Sequence, residues 1–132
     1  MKTIKDIMSP HIPEIYAHTE LTEIVAQLHK HHVSGAPVIN EDKQLIGFIS
    51  EQHLLEPLIQ NSYFCNGQTT AQVLMTTEVL SVESTLSVLD LALQMQGNKP
   101  KVYPVVSNNK VIGIVTRSQV ITALKAEYLK CK

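Results

Sequence analysis

The sequence has no tryptophan, only two cysteines and no long run of apolar residues among its 132 positions. Cys65 and Cys131 form no CxxC-type motif, so the sequence indicates neither a disulfide framework nor a cysteine-rich metal site. No apolar segment approaches the roughly 18 residues of a membrane helix, and the N-terminus lacks the apolar core of a signal peptide. We therefore expect a cytoplasmic protein with two reduced thiols and no membrane insertion.

An excess of charge of one sign is also missing. The chain has eleven basic and twelve acidic residues, a formal net charge of -1 and no block of like charges. Because nucleic-acid phosphates are bound by clustered Lys and Arg, no nucleic-acid partner is expected. The sequence contains no phosphate-binding glycine loop and no nucleophile-elbow motif, so we do not expect an enzyme.

What the chain does contain is an internal repeat. The first half includes APVINEDKQLIGFISEQHLL, and the second half includes YPVVSNNKVIGIVTRSQVI. In this alignment Pro37 corresponds to Pro104, and Gly47 corresponds to Gly113. The upstream segments KDIMSP and LTEIVAQLHKHH likewise correspond to QVLMTT and LSVLDLALQMQG. The predicted organisation is repeat 1, a linker and repeat 2, at residues 1–62, 63–70 and 71–132.

The first part of repeat 1 has the pattern of a strand followed by an amphipathic helix. A short strand is expected at 12–17, and the helix should begin near Thr19 or Thr22, either of which could be its N-cap. Apolar residues at helical spacing predict its inward face. That face is Leu21, Ile24, Val25 and Leu28.

The second part of repeat 1 reads as a hairpin followed by another helix. Strands are expected at 36–39 and 45–49, with a polar turn between them. A helix should follow at 51–60, and Pro57 should kink or shorten it. Its expected inward residues are Leu54, Leu55, Leu58 and Ile59.

Repeat 2 has the same order of elements. Its hairpin strands are expected at 102–106 and 111–115, between two helices. The first helix is marked by Leu89, Ala92, Leu93 and Gln96, and the second by Val120, Ile121 and Leu124. A unit of about 60 residues buries little surface by itself. The expected fold class is therefore α/β (α+β), with two β-α-β-β-α repeats packed sheet to sheet with pseudo-two-fold symmetry.

These motifs resemble those of a tandem pair of cystathionine-β-synthase (CBS) domains, also called a Bateman module. The resemblance rests on VSGAPVI and LIGFIS in repeat 1 and on VYPVV and VIGIVTRS in repeat 2, and it covers essentially the whole chain. It implies two clefts between the repeats, a homodimer, and binding of AMP, ADP, ATP or S-adenosylmethionine as a regulatory ligand. It implies a stand-alone sensor that signals to a separate partner protein, with no further cofactor.

The resemblance also implies two sets of ligand-binding residues. The favoured cleft combines Val33, Ser34, Gly35 and Ala36 with Ile114, Thr116, Arg117 and Gln119. The weaker cleft combines Pro100, Lys101 and Val102 with Ile49, Ser50 and His53. We favour the first because Gly35 leaves room for a ring and Arg117 suits phosphate oxygens, whereas Glu51 of the other repeat would repel phosphate.

A different function stays open at this point. His53 and Gln119 stand where the family has an acidic residue that holds the ribose hydroxyls, so both acids are missing. Thr116 and Gln119 also fit a capping box, which needs no ligand. The alternative is a ligand-independent homodimerisation or scaffold module, in which Ser50 and Thr116 only cap helices.

A histidine cluster near the end of the first helix is the other candidate site. His29 and His32 share a helix face, His31 points elsewhere, and no nearby cysteine or carboxylate completes a metal site. Imidazolium is favoured at a helix C-terminus, which is a sufficient role for these residues. We predict no metal site, although a metal-sensing module is a further alternative.

Overall fold

The computed structural model describes residues 2–64 and 69–131. The elements in chain order are α1 (Ile4–Ile7), α2 (Leu21–His31), β1 (Gly35–Ile39), β2 (Leu45–Ser50), α3 (Gln52–Phe64), α4 (Ala71–Leu74), β3 (Val82–Glu83), α5 (Val88–Gln94), β4 (Val102–Ser107), β5 (Lys110–Thr116) and α6 (Arg117–Lys130). This mixture of helices and small sheets confirms the α+β class. Within the two described ranges, no helix has the length and apolar character needed to cross a membrane.

The chain forms two compact units that do not coincide with the sequence repeats. Unit 1 consists of Met1–His11 and Leu80–Lys132, and unit 2 consists of Ile12–Val79. The difference arises because the short opening segment of each repeat packs on the hairpin of the other repeat. Helix α1 therefore belongs to unit 1, and helix α4 belongs to unit 2.

Unit 1 is built on a three-stranded sheet in the order β3-β4-β5. Strand β3 runs parallel to β4, and β4 pairs antiparallel with β5 from Val102↔Thr116 to Ser107↔Lys110. Asn108 and Asn109 form the turn, with φ angles of 52° and 64° that asparagine tolerates well. The core packed on this sheet is Ile4, Val82, Val88, Leu91, Met95, Tyr103, Val105, Val115 and Val120.

Unit 2 is built on the β1-β2 hairpin, which pairs antiparallel from Gly35↔Ser50 to Ile39↔Leu45. Asn40 shapes the turn, because its Oδ1 accepts the amides of Asp42 at 3.0 Å and Gln44 at 2.9 Å. The core is Ile15, Leu21, Ile24, Leu28, Ala36, Val38, Ile49, Leu54 and Ala71. The predicted inward face of α2 is confirmed, with Leu21, Ile24 and Leu28 buried.

One glycine in each hairpin allows the opening segment of the other repeat to dock. In unit 1 the amides and carbonyls of Ser9 and Ile114 bond reciprocally at 2.8 and 2.9 Å, and a Cβ on Gly113 would lie 2.5 Å from the Ser9 oxygen. In unit 2 Phe48 and Thr76 bond in the same way at 2.9 and 3.0 Å. The two pairs of bonds attach α1 and α4 to their hairpins.

The strand predicted at 12–17 is wrong, and so are both candidate N-caps of α2. The Ile15 carbonyl accepts the amide of Ile39 at 3.0 Å, but the next amide, Tyr16, donates to Thr19 Oγ1 at 2.8 Å and the ladder ends. The Thr19 hydroxyl is therefore used before α2 begins. Glu20 is the N-cap instead, and its carboxylate accepts the Thr22 amide at 2.9 Å.

Helix α3 runs farther than predicted and buries less. It continues to Phe64 with Pro57 inside it, so the proline does not shorten it, and it enters the predicted linker. Of the four residues expected to face inward, only Leu54 is buried; the exposed ones are Leu55, Leu58 and Ile59. The predictions for the Tyr63 and Phe64 side chains and for Cys65 lie outside what the structure describes.

The buried face of α5 is also different from the one predicted. Val88, Leu91 and Met95 are buried, whereas Leu89 and Leu93 are exposed. Both sets have helical spacing, so the packing against the sheet decides between them. In α6, Val120 is buried as expected but Ile121 is exposed. Leu124 is partly buried against the core of unit 1.

Candidate ligand-binding site

At one end of the unit 1 hairpin, two basic side chains lie beside the start of α6. The last strand pair is Val102↔Thr116, and the next amide, of Arg117, donates to the Lys101 carbonyl at 2.8 Å. The backbone bond holds Lys101 and Arg117 next to each other, and both residues are exposed. Neither has an ion-pair partner among the residues that the structure describes. Their charges are therefore available to an anion.

Thr116 caps α6 by the predicted capping box, which is confirmed. Its Oγ1 accepts the Gln119 amide at 3.2 Å, and the Gln119 Oε1 accepts the Thr116 amide at 2.9 Å. A threonine hydroxyl also has a hydrogen to donate, and a glutamine amide has two. Capping uses the acceptor side of both groups, so their donors can still reach a ligand oxygen.

The corresponding end of the unit 2 hairpin has the same backbone geometry and the opposite charge. The Glu51 amide donates to the Ser34 carbonyl at 2.9 Å, as Arg117 does to Lys101. His53 takes the place of Gln119, because its Nδ1 accepts the Ser50 amide at 3.2 Å. The neutral imidazole must then carry its proton on Nε2, which makes His53 a donor where a carboxylate would be an acceptor.

Each unit brings together part of both predicted clefts. Lys101, Val102, Thr116 and Arg117 meet in unit 1, and the strand-pair partners of unit 2 are Gly35 with Ser50 and Ala36 with Ile49. Each predicted cleft combines residues from both units, and that assignment stays a prediction. Pro100 is exposed.

Ile114 offers less to a ligand than the resemblance implies. Its side chain is 2% exposed, and its amide and carbonyl are each bonded to Ser9. The partner of this bridge lies more than a hundred positions earlier in the chain, so no local pattern could reveal it. Ile114 is therefore part of the support beneath the candidate site.

Unit 2 also has an open pocket that sequence reasoning missed. Its volume is about 470 Å³, and its lining is Leu28, His29, His32, Val33, Ser34 and Glu51. His32 ends α2 in the left-handed conformation, with φ 54° and ψ 45°, and this turn brings two of the clustered histidines beside Ser34. In the described part of the chain, no group of three or more His, Cys, Asp or Glu side chains could hold a metal ion.

A smaller pocket lies in unit 1 beside α6. Its volume is about 330 Å³, and its lining is Lys2, Ile7, Ser118, Gln119, Thr122, Ala123 and Ala126. Gln119 thus faces this pocket while it completes the capping box.

Two α+β repeats with matching hairpins, each preceded and followed by helices, define a tandem-domain protein. The CBS domain model matches residues 4–59 and again residues 71–126. The chain therefore belongs to the CBS domain family, as a tandem pair, which confirms the resemblance seen in the sequence.

Similar proteins have been found by sequence and by structure. The uncharacterized protein MJ1426 of Methanocaldococcus jannaschii is 28% identical over 92% of this chain and 90% of its own length. The CBS domain pair of protein MJ0100, in complex with 5′-methylthioadenosine and S-adenosyl-L-methionine, has a TM-score of 0.75 and 27% identity, covering 96% of this chain and 98% of that one. CBSX2 of Arabidopsis thaliana, in complex with AMP, has a TM-score of 0.78 and 28% identity, covering 96% and 99%.

Some curated relatives are longer than this chain. In two of them the matching segment makes up 44% and 37% of the relative's length. CBS pairs of this kind thus occur in proteins that contain additional sequence.

Proposed function

We propose that this protein is a regulatory module that binds an adenine nucleotide or another adenosyl compound and passes the bound state to a separate protein. The observation that carries this proposal is the pair of exposed cations, Lys101 and Arg117, held beside Thr116 at the start of α6. A helix start offers the positive end of its dipole to a phosphate, and an arginine fork matches phosphate oxygens. The proposed role is regulation rather than catalysis.

The structural neighbours support the ligand class. The CBS pair of MJ0100 holds S-adenosyl-L-methionine and 5′-methylthioadenosine, and CBSX2 holds AMP. The longer relatives support a role in controlling another protein, because in them the pair accompanies further sequence. For the present chain the candidate ligands are AMP, ADP, ATP and S-adenosylmethionine.

The proposed ligand contacts follow the sets derived from the resemblance, with different weights. Thr116 and Arg117, joined by Lys101, form the phosphate-binding group, and Gln119 donates from its amide nitrogen. Gly35 provides room for a ring near the backbone. The end of the unit 2 hairpin, with Ser50 and Glu51, is the weaker candidate for a phosphate because Glu51 is negative.

A thermal-shift screen tests this proposal. A ligand that binds only the folded protein must raise the melting temperature in a dose-dependent way, by about 2.7 kcal/mol of stability at a hundredfold excess over Kd. We expect such a shift with at least one of AMP, ADP, ATP and S-adenosylmethionine. Thr116→Ala should weaken the binding of that ligand about tenfold or more, since a hydrogen bond to a charged group contributes roughly 1.5–3 kcal/mol.

The controls separate ligand binding from helix capping. Thr116→Ala also removes a cap that contributes about 1 kcal/mol to stability, whereas Thr116→Asp keeps a good N-cap and adds a charge that repels phosphate. For a phosphate ligand, both variants should lose binding, and only the alanine should lose stability. Ser50→Ala is the matched change in the other repeat and should have a smaller effect on binding. Equal losses for Thr116→Ala and Ser50→Ala would contradict the assignment.

Homodimerisation is a second proposed property, favoured by exposed apolar side chains on neighbouring helices of unit 1. Leu89 and Leu93 on α5 and Ile121 on α6 are 45%, 58% and 59% exposed. Sedimentation should reveal a concentration-dependent dimer that Leu93→Glu abolishes. Val73→Glu, at another exposed apolar position, is the control and should leave the dimer intact. A stable dimer without any ligand-induced shift would favour the scaffold alternative.

A further inference from the structure

The open pocket of unit 2 has one carboxylate in its lining. Glu51 is exposed and has no ion-pair partner among the described residues. The other polar groups of the lining are the hydroxyl of Ser34 and the imidazoles of His29 and His32. At about pH 8 an ordinary imidazole is neutral, so a carboxylate would be the dominant charge that a ligand meets there.

The rest of the lining suits a flat organic group. Leu28 is 1% exposed and forms an apolar floor together with Val33. Imidazole rings can stack on a heteroaromatic ring, and the open volume of about 470 Å³ is that of a small-molecule site. A bare metal ion does not fit this chemistry, because the described residues contain no three-ligand group for it.

The charge of this pocket is opposite to that at the equivalent position of unit 1. Glu51 and Arg117 each follow the last residue of their hairpin, and each donates its amide to the residue before the first strand. Because the backbone bonds match, the difference between the two ends is one of side-chain charge. An anionic ligand is attracted by Arg117 and repelled by Glu51.

We propose that the pocket of unit 2 selects a positively charged adenosyl compound, one bearing an ammonium or sulfonium group, and that Glu51 is the specificity-determining residue. The inference rests on the proposed function, whose adenosyl ligand class it narrows for this pocket. The flat ring of the ligand lies on the apolar floor near the imidazoles, and its cationic group approaches the Glu51 carboxylate.

Calorimetric titration of the full chain at about pH 8 tests this inference. The probes are S-adenosylmethionine, which carries a sulfonium and an ammonium group, neutral 5′-methylthioadenosine, and anionic AMP. We expect Glu51→Gln, which removes the charge and keeps the shape, to weaken S-adenosylmethionine binding roughly tenfold. It should leave 5′-methylthioadenosine within about twofold. Glu51→Arg should weaken S-adenosylmethionine binding further.

Two further variants complete the design. Glu56→Gln removes an exposed carboxylate of α3 that does not line the pocket, and it should leave all three affinities unchanged. His29→Gln changes the pocket wall without changing Glu51, and it should weaken the cationic and the neutral probe alike. These controls distinguish a local charge effect from a change in the net charge of the protein.

The outcomes separate this inference from the proposed function. If Glu51→Gln does not change S-adenosylmethionine binding, or weakens the neutral probe equally, the charge selection is wrong. If AMP binds the wild type in a Thr116-dependent way and S-adenosylmethionine does not bind, only the present inference fails. If none of the three probes binds, both the inference and the proposed function are overturned.

Discussion

At the scale of single residues, helix starts in this protein are held by side chains that accept nearby backbone amides. Ser87 accepts the amide of Asp90 at 3.0 Å, Thr116 accepts that of Gln119, and Glu20 accepts that of Thr22. The Thr116 cap was predictable, because a capping box has a clear sequence pattern. The Glu20 cap was not, because two threonines flank it and one of them is already used by Tyr16.

The pKa of Glu20 offers a direct test of its cap. Hydrogen bonds from the Thr22 hydroxyl and the Thr22 amide hold the pKa of this carboxyl below its ordinary value of 4.5. A carboxyl with a lowered folded-state pKa stabilises the fold above its ordinary pKa, and the contribution is lost as the pH falls through the lowered value. Thr22→Val removes the hydroxyl and should raise the Glu20 pKa toward 4.5, as followed by NMR titration of the side-chain carboxyl.

Asp6 is the internal control for that titration. Bonds from the Thr3 amide and hydroxyl hold the pKa of Asp6 below its ordinary value of 3.8, and Thr22→Val should leave it there. An unchanged Glu20 pKa in the variant would show that the Thr22 hydroxyl does not contribute to the cap.

At the scale of elements, the two hairpins share a strand pattern and differ in what covers their central glycine. A Cβ on Gly113 would meet the backbone oxygen of Ser9 at 2.5 Å, whereas a Cβ on Gly47 would first meet the flexible end of the Met75 side chain. Backbone cannot give way as a methionine side chain can. The opening segment of unit 1 is therefore the less tolerant of the two.

Alanine substitution at the two glycines should show this difference. Gly113→Ala should cost about 1–3 kcal/mol of stability, as overpacking usually does, and Gly47→Ala should cost less. Denaturant unfolding of both variants measures the two free energies. Equal costs, or a larger cost for Gly47→Ala, would contradict the argument from the packing partners.

At the scale of the whole molecule, neither compact unit is formed by one sequence repeat alone. Unit 1 includes the first eleven residues, which are separated from its remainder by the whole of unit 2. Ile4 is fully buried in its core, and the amides of Ile4 and Lys5 donate to the carbonyls of Leu86 and Ser84 at 2.8 and 3.0 Å. The stability of unit 1 thus depends on residues at the opposite end of the sequence.

The variant Ile4→Ala tests this dependence. Removing a fully buried isoleucine side chain should cost about 2–5 kcal/mol. Hydrogen exchange should show faster exchange at unit 1 amides such as that of Ile114. Leu80→Ala, at a position 55% exposed in the same unit, should change stability by no more than about 0.5 kcal/mol. A small cost for Ile4→Ala would mean that the opening segment is not part of the core of unit 1.

The sequence by itself determined the repeat, the four main strands to within about two residues, the inward face of α2 and the cap of α6. These features depend on local patterns: the alternation of strands, helical spacing and a four-residue cap. Lys101 and Arg117 were each visible in the sequence. Their association was not, because it depends on strand pairing between β4 and β5.

Only the tertiary structure decided which apolar face of α5 is buried, where α1 and α4 dock, and that the helix-end histidines share a pocket with Glu51. In α5 two leucines and a Val-Leu-Met set have equally good helical spacing, so the local pattern fits both faces. The docking of α1 and α4 and the lining of the pocket join residues that are distant along the chain. Contacts of this kind depend on packing and backbone pairing, which a local sequence pattern does not record.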